Sequence, residues 1–259
     1  MNEERLIQWP EAVYWTTQFN PMVGCKPVSP ACDNCYARAW AERFNIPFTP
    51  HKSKKKNPPS KGVCFCGNVT DLFGDWVDDE SLHNWMVKTI GNDAYYLWLT
   101  KRPVRMANQL AEFTDPVFQR LGKSDLSRNY YGFTAENQEW YDKRFRAISS
   151  IPDWVNMWVS CEPLLGPIDF GFSKILSDGQ KFDIEDRPYQ WIVCGAESGK
   201  DRRTCKIEWI EGIVNQCLSA GIPVFVKQIC LPDGRFSNKI EEFPEHLRIR
   251  QVPWFKETV

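Results

Sequence analysis

The sequence predicts an α/β protein in which parallel βα units close into a partial or full barrel, as a single domain over residues 1–259. Two observations support this fold class. Short apolar segments recur along the chain, and most are continuous rather than alternating, which is typical of strands that are covered on both faces. Helical patterns lie between them, so that strand and helix alternate as in parallel βα folds. The chain of 259 residues has no long linker, which favours one domain.

Seven segments are expected to be strands and three to be helices. The strands are predicted at residues 12–19, 62–68, 94–100, 130–134, 155–161, 190–195 and 223–227. The helices are predicted at residues 78–90, 137–148 and 206–220. We expect the third helix to end at Gly221, because glycine suits the C-terminal cap and Pro223 cannot continue a helix.

Composition limits the partners and the compartment. The formal net charge is −1, so contacts with nucleic acid would require a local basic patch rather than a global field. The sequence has no apolar run long enough for a membrane helix, and its charged N-terminus is unlike a signal peptide. We therefore expect a cytoplasmic protein. In that reducing compartment its ten cysteines favour metal ligands and buried thiols over disulfides.

Three cysteines, Cys25, Cys32 and Cys35, lie in one proline- and glycine-containing loop at residues 20–36. Three thiolates can hold a metal centre and leave one coordination position for substrate or cofactor. A 4Fe–4S cluster fits three soft ligands with one iron left open. Zinc is the alternative, with its fourth ligand from His51 or from the Cys64 and Cys66 pair. The remaining cysteines are expected to be small core residues.

Polar side chains recur after the predicted strands, where the loops of a βα barrel converge on one mouth. They are Asn68, Thr70, Asp71, Thr100, Lys101, Arg102, Thr134, Glu136, Asn137, Ser160, Glu162, Glu197, Ser198, Lys227 and Gln228. This mixture suits a cavity that binds a zwitterion such as an amino-acid group, but it also suits a salt-bridge network. In the turn that contains Gly195, Glu197 and Ser198, glycine permits close approach of a ligand to the backbone.

Residues 50–61 form a basic loop. Its lysines suit either a solvated connection or a lid that contacts phosphates, since lysine binds phosphate as a point charge.

Eight motifs occur in order between about residues 14 and 230. They are NPMVGC at 20–25, SPACDNCYA at 29–37, TDLF at 70–73, LTKRP at 99–103, EN at 136–137, EPLLGPI at 162–168, GAESG at 195–199 and VKQ at 226–228. In these motifs the chain resembles the phage-associated three-Cys-motif proteins, a largely uncharacterised family considered similar to radical SAM enzymes.

The resemblance implies a TIM-like, radical SAM-like barrel with two cofactors, a 4Fe–4S cluster and S-adenosylmethionine (SAM). It implies that Cys25, Cys32 and Cys35 ligate the cluster. The contacts it suggests for SAM or substrate are Glu136, Glu162, Gly195, Glu197 and Ser198, and the expected catalytic residues are Glu162, Lys227 and Lys101. The sequence departs from the usual radical SAM spacing, because six residues separate Cys25 from Cys32 and the aromatic Tyr36 follows the last cysteine.

The expected function is therefore a radical SAM-type enzyme that generates a 5′-deoxyadenosyl radical and isomerises or modifies a group on a phage DNA base or nucleotide. Its partners would be that DNA or nucleotide and an electron donor, in the host cytoplasm if the protein is phage-encoded, without a membrane. One alternative is a zinc- or cluster-stabilised module that binds nucleic acid or protein. The other is a zinc-dependent hydrolase or deaminase with Glu162 or Glu197 as general base.

Overall fold

The computed structural model describes residues 5–121, 126–148, 150–152, 155–176, 179–182 and 188–257. Its strands are β1 (Arg5–Gln8), β2 (Thr17–Phe19), β3 (Met22–Val23), β4 (His51–Lys52), β5 (Val63–Cys66), β6 (Tyr95–Thr100), β7 (Asn129–Thr134), β8 (Asn156–Cys161), β9 (Trp191–Gly195), β10 (Val224–Cys230), β11 (Phe236–Ser237) and β12 (Gln251–Glu257). Its α-helices are α1 (Tyr36–Arg43), α2 (Asp79–Val87), α3 (Pro103–Leu121), α4 (Gln138–Ala147), α5 (Phe172–Ile175) and α6 (Ile207–Ala220).

The main sheet has eight strands in the hydrogen-bonded order β11-β10-β9-β8-β7-β6-β5-β2. The strands pair in parallel from β2 through β5 and β6 to β7, and again from β8 through β9 to β10. Strand β11 adds an antiparallel edge. The predicted α/β class and the mostly parallel sheet are confirmed. In this order β2 and β11 stand at opposite ends, so the hydrogen bonding described does not establish a closed barrel.

The continuous apolar segments are buried strands, as predicted. Every residue of β7 and β9 is buried, and so is every residue of β8 after Asn156. Large aromatic rings fill the core, and the Trp158 and Trp191 rings lie 5.3 Å apart between centroids. Because each such ring removes a large apolar area from water, these strands carry much of the burial that stabilises the fold.

The chain divides into two compact units. Unit 1 comprises Met1–Tyr14, Thr134–Tyr141 and Met157–Val259, and unit 2 comprises Trp15–Phe133 and Asp142–Asn156. The expectation of one domain over residues 1–259 stays a prediction. None of the helices in the described ranges is both long enough and apolar enough to cross a membrane.

Several elements were not predicted from the sequence. Strand β1 pairs with β12 from the far end of the chain, with Arg5 opposite Glu257, and no local pattern reports such a pairing. Helix α3 was missed although it begins at Pro103, and proline is favoured at the first position of a helix. The first predicted strand, 12–19, is wrong in its extent, since only Thr17–Phe19 is a strand.

The predicted end of helix α6 is confirmed. Gly221 is the C-terminal cap, with φ of 73°, and its backbone N–H bonds to the Cys217 and Leu218 carbonyls. A side chain at this position would meet strain, because L-residues rarely adopt positive φ. Its Cβ would also lie 3.2 Å from Lys181 Cβ.

We predict that Gly221→Ala lowers the free energy of unfolding by about 1 kcal/mol. The matched control is Gly212→Ala in the middle of the same helix, where a Cβ meets no atom within 4 Å. This control should raise stability by about 0.5 to 1 kcal/mol, because alanine is the better helix former. Urea denaturation measures both variants, and equal effects of the same sign would contradict the capping role of Gly221.

Candidate functional site

The cysteine loop (residues 20–36) is part of unit 2 and is fixed by its backbone. Strand β3 pairs with β4 just before Gly24, and Gly24 has φ of 88°. A Cβ at Gly24 would lie 2.5 Å from the Phe48 and Thr49 carbonyl oxygens, so only glycine fits there. The next residue, Cys25, donates its N–H to the Phe48 carbonyl at 3.3 Å.

Side chains also fasten this loop to the turn that follows β5. Thr70 Oγ1 donates to the Gly24 carbonyl at 2.6 Å, and Asn20 Nδ2 donates to Asn68 Oδ1 at 2.6 Å. The Tyr36 hydroxyl donates to the Asn68 carbonyl. The loop therefore has a defined path on both sides of its first cysteine.

The other two cysteines begin or end short helical turns. Cys32 is the last residue of a 3₁₀ turn over Pro30–Cys32, and Cys35 is the N-cap of α1. The Cys35 carbonyl accepts the N–H groups of Arg38 and Ala39, each at 3.1 Å. Local helical hydrogen bonds thus set where both residues lie along the loop.

All three thiols are free and partly exposed. Burial raises the pKa of Cys25 to about 11, and the charges of Asp71, Cys32 and Cys35 raise it further while Arg102 opposes them. Cys25 is therefore close enough to Cys32 and to Cys35 for their charges to affect its pKa.

In the part of the chain that the structure describes, no three Cys, His, Asp or Glu side chains are grouped to hold one metal ion. Tetrahedral zinc at 2.3 Å from each sulfur would bring the sulfurs to about 3.8 Å from one another. A four-iron cluster is larger than one ion, so its cysteine ligands lie farther apart. The cluster and the zinc alternative at these cysteines both stay predictions.

The carboxylate of Asp71 is the centre of the polar contacts around this loop, and its residue is only 6% exposed. It accepts hydrogen bonds from Thr100 Oγ1 at 2.7 Å, Lys101 N at 3.1 Å and Phe73 N at 3.0 Å. Arg102 Nη1 adds an ion pair at 2.9 Å. This single group therefore joins the turn after β5 to the end of β6.

Arg102 extends the same contacts to the cysteine loop. Its Nη2 donates to the Lys26 carbonyl at 2.9 Å, and its guanidinium lies 4.6 Å from the centroid of the Trp76 ring. The Lys26 ammonium lies 5.5 Å from the same ring and 3.3 Å from Asp75 Oδ1. The Trp76 ring is thus shared by two cations, Lys26 and Arg102.

The predicted catalytic residue Lys101 donates its backbone N–H to the Asp71 carboxylate, and this hydrogen bond positions its backbone. The basic loop at residues 50–61 begins with strand β4, and its residues Lys54, Lys55 and Lys56 are exposed. Lys52 lies 3.5 Å from Asp78. The loop is thus tied to the cysteine loop through the β3–β4 pairing, while its next lysines face solvent.

In unit 1 the structure brings Glu162 and Lys227 together. Lys227 Nζ lies 3.0 Å from Glu162 Oε1, with the side chains 21% and 12% exposed. The Tyr14 hydroxyl donates to Glu162 Oε2 at 3.2 Å, and the Lys227 ammonium lies 5.6 Å from the Tyr14 ring centroid.

Local backbone features shape the surroundings of the Glu162 and Lys227 side chains. The β9–β10 register shifts between Val226 and Gln228, so Lys227 lies at an irregularity of the strand pairing. Gly195 keeps the site open, because a Cβ there would lie 3.3 Å from Glu162 Oε1. Neither the register shift nor the contribution of Tyr14 has a signature in the sequence.

The other acidic candidates of unit 1 are also enclosed. Glu197 accepts hydrogen bonds from Arg203 N at 2.8 Å, Arg203 Nε at 2.9 Å and Arg203 Nη2 at 2.5 Å. Glu136 is fully buried, whereas Ser198 is half-buried in the turn after β9. Glu162 and Glu197 therefore both form salt bridges within the protein, as one of the two alternatives expected. Their roles toward a ligand stay predictions.

The cysteines expected in the core are mostly there. Cys64 and Cys66 are buried in β5, and Cys161, Cys194, Cys205 and Cys217 are buried elsewhere, whereas Cys230 is partly exposed.

Asp71→Asn should lower the free energy of unfolding by about 2 to 4 kcal/mol, because Arg102 would lose the partner of a largely buried charge. The control is Asp75→Asn, whose pairing with Lys26 is solvent-exposed and should change stability by less than about 0.5 kcal/mol. Chemical denaturation decides between them. A loss at Asp75 as large as at Asp71 would contradict the central place of the buried carboxylate.

Comparison with known proteins gives one match. None of the curated proteins matches the chain, and no solved structure matches it. A family model described as "Protein of unknown function (DUF5131)" matches residues 6–238, which is most of the 259 residues. The chain therefore belongs to DUF5131, a family of proteins of unknown function.

Proposed function

We propose that this protein is a radical SAM-type iron–sulfur enzyme whose cysteine loop holds a 4Fe–4S cluster. The observation that carries the proposal is the arrangement of Cys25, Cys32 and Cys35, three free thiols on one fastened loop, where Cys32 and Cys35 both affect the pKa of Cys25. Three thiolates leave one iron of such a cluster without a protein ligand. Cys25, Cys32 and Cys35 would hold the cluster, and with SAM bound it would supply the one-electron chemistry that makes a 5′-deoxyadenosyl radical available for hydrogen abstraction.

The sheet supports this assignment. The eight-stranded sheet is mostly parallel. Five described pairings are parallel, three joining β2, β5, β6 and β7 and two joining β8, β9 and β10. The edge strand β11 pairs antiparallel with β10. A partial βα barrel is the finer fold that we propose, by the resemblance to radical SAM enzymes. The cysteine loop follows β2 directly, so the thiols lie beyond the carboxyl end of a parallel strand, where α/β folds bind ligands.

The residues of unit 2 have a positioning task in this proposal. Asp71 holds Arg102, and Arg102 binds the Lys26 carbonyl next to Cys25. This chain of contacts fixes the loop before any ligand is bound. Preorganisation of this kind lowers the ordering cost of binding a metal group.

In unit 1 we assign polar contacts with SAM or substrate to Glu136, Glu162, Gly195, Glu197 and Ser198. Glu162 and Lys227 present opposite charges 3.0 Å apart, which complements the carboxylate and ammonium of an amino-acid group. Gly195 leaves room beside Glu162. We assign proton transfer or substrate binding to Glu162, Lys227 and Lys101.

As substrate we propose a DNA base or nucleotide that carries a group to be isomerised or modified, with a separate electron donor. Support comes from unit 2, where Tyr36 and Trp40 on α1 and the C-cap residue Phe44 are exposed at four-residue intervals. Bases stack on such rings, and the exposed lysines of the basic loop suit the phosphates.

We expect anaerobic reconstitution with iron and sulfide to give a brown protein that binds about four irons per chain. Cys32→Ala should lose this absorption, because two thiolates hold the cluster too weakly. The control Cys230→Ala removes a partly exposed cysteine outside the loop and should keep the colour. Stoichiometric zinc in the purified protein, with no iron installed, would overturn the cluster assignment and favour a zinc enzyme.

Under a strong reductant, the reconstituted protein should convert SAM to 5′-deoxyadenosine and methionine, which chromatography measures. Glu162→Gln should reduce this yield at least about tenfold while leaving the iron absorption unchanged, because a carboxylate contact to the ammonium is lost. Asp169→Asn, at an exposed carboxylate of unit 1, is the control. A brown protein that forms no 5′-deoxyadenosine would instead be a cluster-stabilised binding module.

A further inference from the structure

Unit 1 contains an open groove of about 570 Å³ that the proposed chemistry does not use. Its walls come from the segment after β9, from the first turn of α6 and from the segment after β10. It therefore lies beyond the carboxyl ends of two neighbouring parallel strands, the edge at which open α/β sheets bind ligands. Its volume is in the range of sites for small molecules.

The groove is strongly cationic. Four basic residues, Lys200, Arg202, Arg203 and Lys206, line it together with the single acidic side chain of Glu208. The chain as a whole has a net charge of −1, so this concentration of positive charge is local. Several cations around one groove attract a multiply charged anion more than they attract a single carboxylate.

Two of these cations are held in place by the protein. Glu197 accepts hydrogen bonds from the Arg203 backbone and side chain, which sets the direction of that guanidinium. Arg202 donates to the Gly199 carbonyl at 3.2 Å and lies 5.8 Å from the Phe236 ring centroid. Positioned guanidinium groups favour phosphate, because their planar donors match its oxygens.

Cys205 contributes to the same lining without adding charge. Cys205 is 2% exposed, and burial together with the nearby Cys230 raises its pKa to about 12. Its thiol is therefore neutral at physiological pH. No thiolate at Cys205 opposes an anion in the groove.

We propose that this groove binds the phosphoryl group of a nucleotide or of a single-stranded nucleic acid. Lys200 and Lys206 supply exposed point charges, and Arg202 supplies a positioned guanidinium, while the Arg203 guanidinium is paired with Glu197. The proposal concerns binding alone and does not depend on a cluster or on SAM.

The test is calorimetric titration of the full chain at low salt with inorganic phosphate, a deoxynucleoside monophosphate, the same deoxynucleoside without phosphate, and a short DNA oligonucleotide. We expect the phosphorylated ligands to bind and the free nucleoside to bind much more weakly. The double variant Lys200→Gln/Lys206→Gln should weaken phosphate-containing ligands about tenfold. For the oligonucleotide it should also reduce the salt slope by about 0.7 for each lost contact.

The control is Lys174→Gln/Lys239→Gln, which removes the same charge from exposed positions of unit 1 that are not among the residues lining the groove. It should leave affinity unchanged. Binding of the mononucleotide as tightly as the oligonucleotide assigns the site to a nucleotide, and much tighter oligonucleotide binding assigns it to a polymer. Absence of phosphate-dependent binding, or equal losses in both double variants, overturns the proposal.

Discussion

The candidate metal centre depends on the hydrogen bonds and the ion pair that the buried Asp71 carboxylate accepts. A charge that is 6% exposed is tolerated only when its hydrogen bonds are satisfied. Here four donors satisfy it, from Phe73, Thr100, Lys101 and Arg102. Because Arg102 also binds the Lys26 carbonyl, the requirement to neutralise one buried group fixes the loop that carries the cysteines.

The same requirement explains the acidic strand ends of unit 1. Glu162 lies against Lys227, and Glu197 is held by Arg203. A ligand that used either carboxylate would have to replace or share a cation that the protein already supplies. An amino-acid group offers that exchange, since its ammonium can approach the carboxylate while its own carboxylate takes the lysine. Ion pairing within the protein and recognition of a zwitterion are therefore compatible uses of the same residues.

The sequence predicted the parallel core because burial on both faces leaves continuous apolar segments such as β8 and β9. It predicted the Gly221 cap because glycine has a local conformational role. It could not predict β1 against β12, since the pairing joins opposite ends of the chain. Glu162 and Lys227 were both expected at the site, but the contribution of Tyr14 was hidden for a similar reason, because Tyr14 is distant from Glu162 in the sequence. The cysteines stood out by spacing and Asp71 by its place after a strand, but the contacts by which Asp71 orders the cysteine loop had no signal in the sequence.

The near-neutral composition conceals an uneven distribution of charge. Asp71, Glu136 and Glu197 are buried, and Asp71 and Glu197 are engaged with arginines. Carboxylates used inside the protein do not offset cations at the surface as strongly as exposed ones would. The groove beside α6 keeps two exposed lysines and Arg202 in contact with solvent, and the basic loop keeps three more lysines exposed. A net charge of −1 thus excludes a global attraction to anions while leaving two local clusters of exposed cations.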